Sequence, residues 1–375
     1  MSKRSNLIIT IVFLVFIFGL GTLHAITPDK EFSESENRVL EKLPTFSWET
    51  LKDGRFTKKF EEYIQDQFPF KDRLVALKSD MERLRLKGEN NGVYFGEDNR
   101  LLEKFEKPNE LLDKNIDAIN SFIKKMDNIN SYVMVVPTAT KIYEDKLPKY
   151  AMNYDQIQVI NSLEEKIKVG TVVNVYDELV NKKDEYIYFK TDHHWTMRGA
   201  YHAYKALANE MKFEALELDE FEAKIVTNDF KGTFYSKVNN IHLPADSIEI
   251  FEIKEEKEYE IYYDMGTEEH NEIFEWSHLD KKDKYSLFLD GNHALVDIKT
   301  NVNNGKSLVV IKDSYAHSFI PFLSNHYEEI KVIDLRYFNM DIYKYIEEIG
   351  ADEVLFLYNV KTFVQDPNIK NIYRE

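Results

Sequence analysis

The 375-residue chain contains no cysteine, so its stability rests on a hydrophobic core rather than on disulfides, and thiolate metal sites are excluded. It has no excess of positive charge either. Its 49 basic residues against 66 acidic ones leave a net charge of −17, which argues against general affinity for nucleic acid or anionic lipid. No HExxH spacing, internal repeat or low-complexity segment occurs. What the chain does have is rings, 23 tyrosines and 25 phenylalanines, which serve strands as core and also line carbohydrate clefts. The length suits one large domain or two modest ones.

Lys3 and Arg4 precede a charge-free, mostly apolar run from Leu7 to Leu23. With Ala25 and Ile26 the run just reaches the roughly 20 residues that span a bilayer core. The two basic residues set the N-terminus inside and send everything beyond Thr27 across the membrane. Leu23-His24-Ala25 is a poor small-x-small cleavage site, so residues 1–27 read as an uncleaved signal anchor at the cell membrane. Residues 28–105 read as an extracytoplasmic strap and helical extension. Phe56, Phe60, Tyr63 and Ile64 share one helical face, and Leu74, Leu77, Met81 and Leu84 share another after Pro69. A hairpin follows the Asn90-Asn91-Gly92 turn.

Residues 106–375 read as an α/β domain. Apolar runs at Tyr132–Val136, Val172–Tyr176, Tyr186–Phe189, Leu308–Ile311, Ile330–Leu335 and Val354–Tyr358 alternate with helical periods, as in a parallel sheet covered on both faces. The helices fall at about Asn115–Met126, Tyr154–Val169, Thr196–Met211, Ala316–Leu323 and Ile342–Ile349. Between about 218 and 300 the rhythm breaks into a mainly antiparallel β insert. Its unusual loops are Gly232-Thr233-Phe234-Tyr235-Ser236-Lys237 and Asp290-Gly291-Asn292-His293.

Two junctions carry chemistry. Thr191-Asp192-His193-His194-Trp195 lies between a β-prone run and a helix. In an extended segment Asp192 and His194 leave the same face, so the carboxylate can orient the imidazole and stabilise its charged form. The bland alternative is that Asp192 caps the helix and the histidines pack. A carboxylate and two imidazoles also suit a metal, but adjacent residues in a strand point opposite ways, and no metal or cofactor is expected. The second junction is Lys312-Asp313-Ser314-Tyr315, after Leu308–Ile311 and before a helix. A serine there can present Oγ, with helix N-terminal N–H groups for an oxyanion, or can simply cap the helix. Asn359, ending a later strand, offers a second oxyanion donor.

These motifs resemble the SGNH hydrolases: Asp313-Ser314 is similar to their first block and Asn359 to the block that supplies the Asn. The Asp and His lie upstream of the serine, an order similar to the SGNH-like proteins of alginate O-acetylation. Asp192-His193-His194-Trp195 is the label of the related DHHW family. Ser35-Glu36-Asn37-Arg38, Asp66-Gln67-Phe68-Pro69-Phe70 and Asn91-Gly92-Val93-Tyr94 add to the match, which runs from about residue 30 to 363. The chain departs from that pattern in two places. Lys312 stands where many such enzymes have glycine, and Asp334-Leu335-Arg336-Tyr337 stands in place of their second block.

The resemblance implies an SGNH-hydrolase-like (flavodoxin-like) sheet in permuted motif order, with Asp192, His194 and Ser314 catalytic and Ser314 and Asn359 forming the oxyanion hole. It implies acetyl transfer to a cell-surface polysaccharide, with a membrane-bound O-acyltransferase as the supplier of acetyl. An acetyl esterase and a silent polysaccharide-binding scaffold are the alternatives. Trp195, Tyr315, Arg336, Tyr235 and Asn292 are the candidates for the cleft wall and substrate contacts.

Overall fold

The computed structural model describes residues 3–33, 38–85, 87–240 and 242–373 and divides into two units. Ser35, Glu36 and Asn37 lie outside the described residues. The first unit comprises Met1–Lys87 with Tyr235–His242, and the second Gly88–Phe234 with Leu243–Glu375.

In the first unit the helix Lys3–Ile26 is long and apolar enough to cross a membrane, with a mean hydropathy of 2.5 and none of that stretch buried. Two amphipathic helices follow at Arg55–Asp66 and Lys71–Leu84. Asp66 anchors this unit: it pairs with both terminal nitrogens of Arg38 and accepts bonds from the Glu41 N–H at 2.9 Å and Lys71 Nζ at 3.2 Å. Gln67 ties down Lys30 and Glu41. The Asp66-Gln67 motif is therefore a clamp on the strap.

The second unit is built on a seven-stranded sheet. Its strands are β1 (Asn130–Val136), β2 (Thr171–Val172), β3 (Tyr259–Tyr263), β4 (Leu295–Thr300), β5 (Ser307–Lys312), β6 (Glu329–Ile333) and β7 (Glu353–Asn359), in the order β3-β4-β6-β5-β7-β1-β2. From β6 to β2 every pairing is parallel, while β3 and β4 join antiparallel at one edge. Along β5, Leu308 and Val310 enter one core layer and Val309 and Ile311 the other, so both faces are covered. The hairpin of Val93–Phe95 and Leu101–Glu103 belongs to this unit; the Asn91-Gly92 turn, with positive φ at both residues, pairs Glu89–Asn90 with its first strand, and its own connection uses positive φ at Asp98 and Asn99.

Four local expectations change. The run Val172–Tyr176 forms only a two-residue strand, because the Asn174 side chain accepts the Tyr176 N–H at 3.0 Å and a helix starts there. Tyr186–Phe189 is no ladder strand; one bridge, Tyr188 to Trp195, closes a tight loop instead. The helix expected over Ala316–Leu323 is a turn at Ser314–Ala316 and a short helix at Ile320–Leu323, with Pro321 at its start. The insert is antiparallel at Phe221–Phe230 with Asp246–Ile253, but its second half, β3 and β4, extends the central sheet.

Candidate active site

Ser314 sits two residues beyond β5 and Asn359 ends β7, its neighbour, so both lie at the carboxyl end of the parallel strands. His194 reaches the same place from the loop closed by the Tyr188–Trp195 bridge. Its Nε2 lies 2.7 Å from Ser314 Oγ and its Nδ1 2.6 Å from Asp192 Oδ1. Asp192 accepts the Nδ1 proton, which leaves Nε2 free to accept from the serine hydroxyl. Sequence spacing paired Asp192 with His194 for the wrong reason. The segment is not extended: Asp192 Oδ1 also accepts the His194 backbone N–H at 2.9 Å, a turn that folds the imidazole over its own carboxylate. Asp192 is not the helix cap; Thr196 is, accepting the Gly199 N–H.

His193 does not point away as alternation in a strand predicts. Its ring lies 3.7 Å from that of His194, and its Nδ1–H donates to Thr233 Oγ1 at 2.8 Å. Thr233 in turn gives Asp192 Oδ2 its hydroxyl at 3.0 Å and its N–H at 2.7 Å. Ligand atoms of Asp192, His193 and His194 come within 4.8 Å of one another. Asp192 and His194, however, are committed to the bonds described, a set suited to moving a proton rather than to ligating an ion.

Burial sets the electrostatics. It would raise the Asp192 carboxyl, but the charges of His193 and His194 and the bonds from His194 and Thr233 hold it well below the ordinary carboxylate range. Burial, helped by His193, pushes His194 down to about 4, so the imidazole is a neutral base at pH 7. The Tyr285 ring stacks on His194 at 3.7 Å and 9°, and its hydroxyl donates to the Ser314 carbonyl at 3.1 Å.

A second carboxylate holds the loop. Asp246 is 3% exposed and accepts the N–H groups of Lys190 and Thr191 at 2.9 and 2.7 Å, the Thr191 hydroxyl at 2.6 Å, and the Tyr186 hydroxyl. Gly232 packs so closely that a Cβ there would lie 2.2 Å from Asp192 Cβ. Thr233, Asp246, Tyr285 and Gly232 escaped the sequence reading as site residues. Only the oddity of the Gly232-Thr233 loop signalled any of them.

The remaining candidates divide. Trp195 and Tyr315 are fully buried and bond inward, Trp195 Nε1 to the Tyr315 carbonyl at 2.9 Å and Tyr315 Oη to the His193 carbonyl at 2.6 Å. They rivet the base loop to the serine segment and wall no open cleft. Tyr235 falls in the first unit. Arg336 forks onto Asp334 at 2.8 and 2.6 Å and donates to Asn292 Oδ1 at 3.0 Å. Asp334 also takes Lys312 Nζ at 3.2 Å, which lies 2.7 Å from His317 Nε2. The charge that replaces the glycine is thus answered by the Asp of the replaced second block. Asn359 requires a correction. Its amide nitrogen donates to Asp313 Oδ2 at 2.7 Å and Thr362 Oγ1 at 2.8 Å, and its Oδ1 caps the next helix. Both N–H bonds are spent, so Asn359 does not present a free donor at Ser314.

A largely parallel α/β sheet with a hydrogen-bonded Asp-His-Ser set at its carboxyl edge defines the class of this protein. The chain belongs to the DHHW family, whose profile, described as DHHW protein, matches residues 87–333. It is similar to the crystal structure of a DHHW family protein from Eubacterium siraeum DSM 15702, at 28% identity and TM-score 0.66, covering 76% of this chain and 96% of that one. It is also similar in fold to Bacillus cereus PatB1, at 22% identity and TM-score 0.61, covering 72% of this chain and 96% of PatB1. PatB1 with a sulfonyl adduct aligns at 20% identity and TM-score 0.63, covering 75% and 98%. Among curated proteins none matches.

Proposed function

We propose that the protein is an extracytoplasmic, membrane-anchored O-acetyltransferase that passes an acetyl group through Ser314 to a hydroxyl of a cell-surface polysaccharide. The observation that carries this reading is the unbroken relay from Asp192 to His194 at 2.6 Å and on to Ser314 at 2.7 Å. His194 Nε2 takes the Ser314 proton as Oγ attacks the acetyl carbonyl, and returns it to the departing donor group. Asp192 holds the imidazole in its Nδ1–H tautomer and stabilises the imidazolium. The Ser314 N–H, the first of its helical turn and unused by that turn, faces the oxyanion. A sugar hydroxyl then gives its proton to His194 as it attacks the acetyl-serine, and His194 passes that proton to Ser314 Oγ as the serine leaves. The motif set and its upstream Asp-His order support the permuted SGNH arrangement and a partner acyltransferase as acetyl source.

The test uses the full chain in detergent with an activated acetyl ester and oligosaccharide acceptors, read by mass spectrometry. Acetylated sugar and an acetyl-Ser314 peptide, both lost in Ser314→Ala, are expected. Fast deacetylation of an acetylated polysaccharide without any sugar product would make it an esterase. Glycan binding without turnover would make it a scaffold.

A further inference from the structure

A groove of about 560 Å³ lies in the second unit, outside the relay. Tyr259, Phe274 and Trp276 are among its rings, and Glu255, Lys257 and Asn271 among its polar groups. Trp276 is 38% exposed, the most open of these three rings, and its indole Nε1 is pinned to Glu272 Oε2 at 2.5 Å. A pinned indole with exposed surface offers its electron-rich face to the C–H groups of a sugar ring at little entropic cost. Lys257 pairs with no carboxylate among the described residues, and burial lowers its pKa to about 8, so it keeps donors for a ligand oxygen. The volume is in the range of ligand clefts. Rings, an amide, a carboxylate and an unpaired amine are what a polyhydroxylated ligand with alternating C–H and O–H faces requires.

The groove is tied to the relay by four ring-to-ring steps. His194 stacks on Tyr285 at 3.7 Å, Tyr285 meets Phe288 at 5.2 Å, Phe288 meets Phe274 at 5.9 Å, and Phe274 meets Trp276 at 5.9 Å. The three intermediate rings are buried, so they form no track for the ligand. They pack Trp276 and the base onto one connected set of rings.

We propose that this groove is a distal saccharide subsite, in which Trp276 stacks on a sugar of the acceptor polymer some units away from the hydroxyl presented to Ser314. Its role as an acceptor subsite rests on the acetyl-transfer reading; its capacity to bind saccharide does not. Length selection follows. Acceptors long enough to bridge both places bind more tightly than short ones.

The test uses the full chain in detergent carrying Trp48→Phe, so that the exposed fluorescence comes from Trp276. The probes are di- and hexasaccharides of β-1,4-glucan, chitin and a polyuronate. At least one hexamer should perturb the fluorescence and bind better than its dimer. In the otherwise wild-type chain, Trp276→Ala should weaken that hexamer by about tenfold in calorimetry, the cost of one stacked anchor. The same variant should cleave a small activated acetyl ester at the parent rate, a check that the relay is intact. No Trp276-dependent binding across the panel overturns the subsite. Trp276-dependent binding by a chain that acetylates nothing overturns the transferase reading and leaves the subsite standing. Acetylation with the same KM for hexamers in parent and Trp276→Ala does the reverse.

Discussion

Ser314 and His194 meet at 2.7 Å but are held there by different means. The serine is placed by regular structure. It follows β5, a strand paired in parallel on both sides, and Asp313 caps its turn through the Tyr315 N–H at 2.9 Å. The base has no such scaffold. Its loop is an irregular segment closed by one bridge, positioned by side-chain bonds from Thr233 and Asp246 of the insert. A nucleophile can inherit its position from the fold, whereas a base on a loop needs every polar group around it satisfied. The two halves should therefore fail differently when perturbed.

The largest effect comes from removing chemistry rather than position. Ser314→Ala or His194→Ala should each reduce turnover by about 10⁴–10⁶-fold, and the double variant should lose little more, since the two act as one unit. Ser314→Ala should melt close to the parent, whereas His194→Ala, which leaves the buried Asp192 carboxylate without its imidazole, should melt lower. Additive losses in kcat/KM would mean that the two residues work separately and that the relay is not the engine.

Next comes the insert's grip on the loop. Gly232→Ala places a Cβ 2.2 Å from Asp192 Cβ and 2.3 Å from Asp192 Oδ2, so the loop must shift. A displacement of about 1 Å costs roughly 10²-fold in rate, and that loss in kcat is the expected result. An active Gly232→Ala enzyme would show that the base does not depend on the insert.

That asymmetry also explains what the sequence made legible. The runs at Tyr132–Val136 and Leu308–Ile311 were strands because parallel-sheet interiors demand continuous apolar residues, and Ser314 followed from its place after one of them. Asp192 and His194 were found through a spacing of two, although a turn and not a strand realises it. Thr233 and Asp246 lie 41 and 54 residues beyond Asp192, and nothing local in the chain marks them as its keepers. Asn359 was recognised at the right edge of the sheet, but the sequence could not reveal that Asp313 and Thr362 would claim its amide.

The pH response separates the halves again. Burial puts the His194 pKa at about 4, below the ordinary 6.5, so activity should stay level through neutrality and fall about tenfold per unit only below about pH 4. The linkage runs the same way. Folding favours the neutral imidazole, so its contribution to stability is full above 6.5 and is lost as pH falls through about 4. An acid limb centred near 6.5 in kcat/KM would show an imidazole open to water, and the polar clamp would lose its purpose.

The smallest effect is expected at Asn359, and it discriminates between two roles. A residue that lends an N–H to the oxyanion costs about 10²–10³-fold in kcat when removed. Here both amide hydrogens go to Asp313 and Thr362, and Oδ1 accepts the Thr362 N–H at 2.9 Å. Asn359→Ala should therefore cost about 1 kcal/mol of stability as a lost cap, with turnover reduced less than about tenfold. Some loss of rate is expected because the Asp313 carboxyl, pushed up to about 6 by burial, loses a donor beside Ser314. Thr362→Val separates the roles further: it removes the hydroxyl that the amide donates to and that also bonds the Asp313 carboxyl, and it leaves the Asn359 amide in place. If Asn359→Ala is slowed 10²-fold or more while Thr362→Val keeps full rate, the amide turns to the oxyanion during the reaction. If both fall slightly and melt early, Asn359 belongs to the scaffold that fixes the serine.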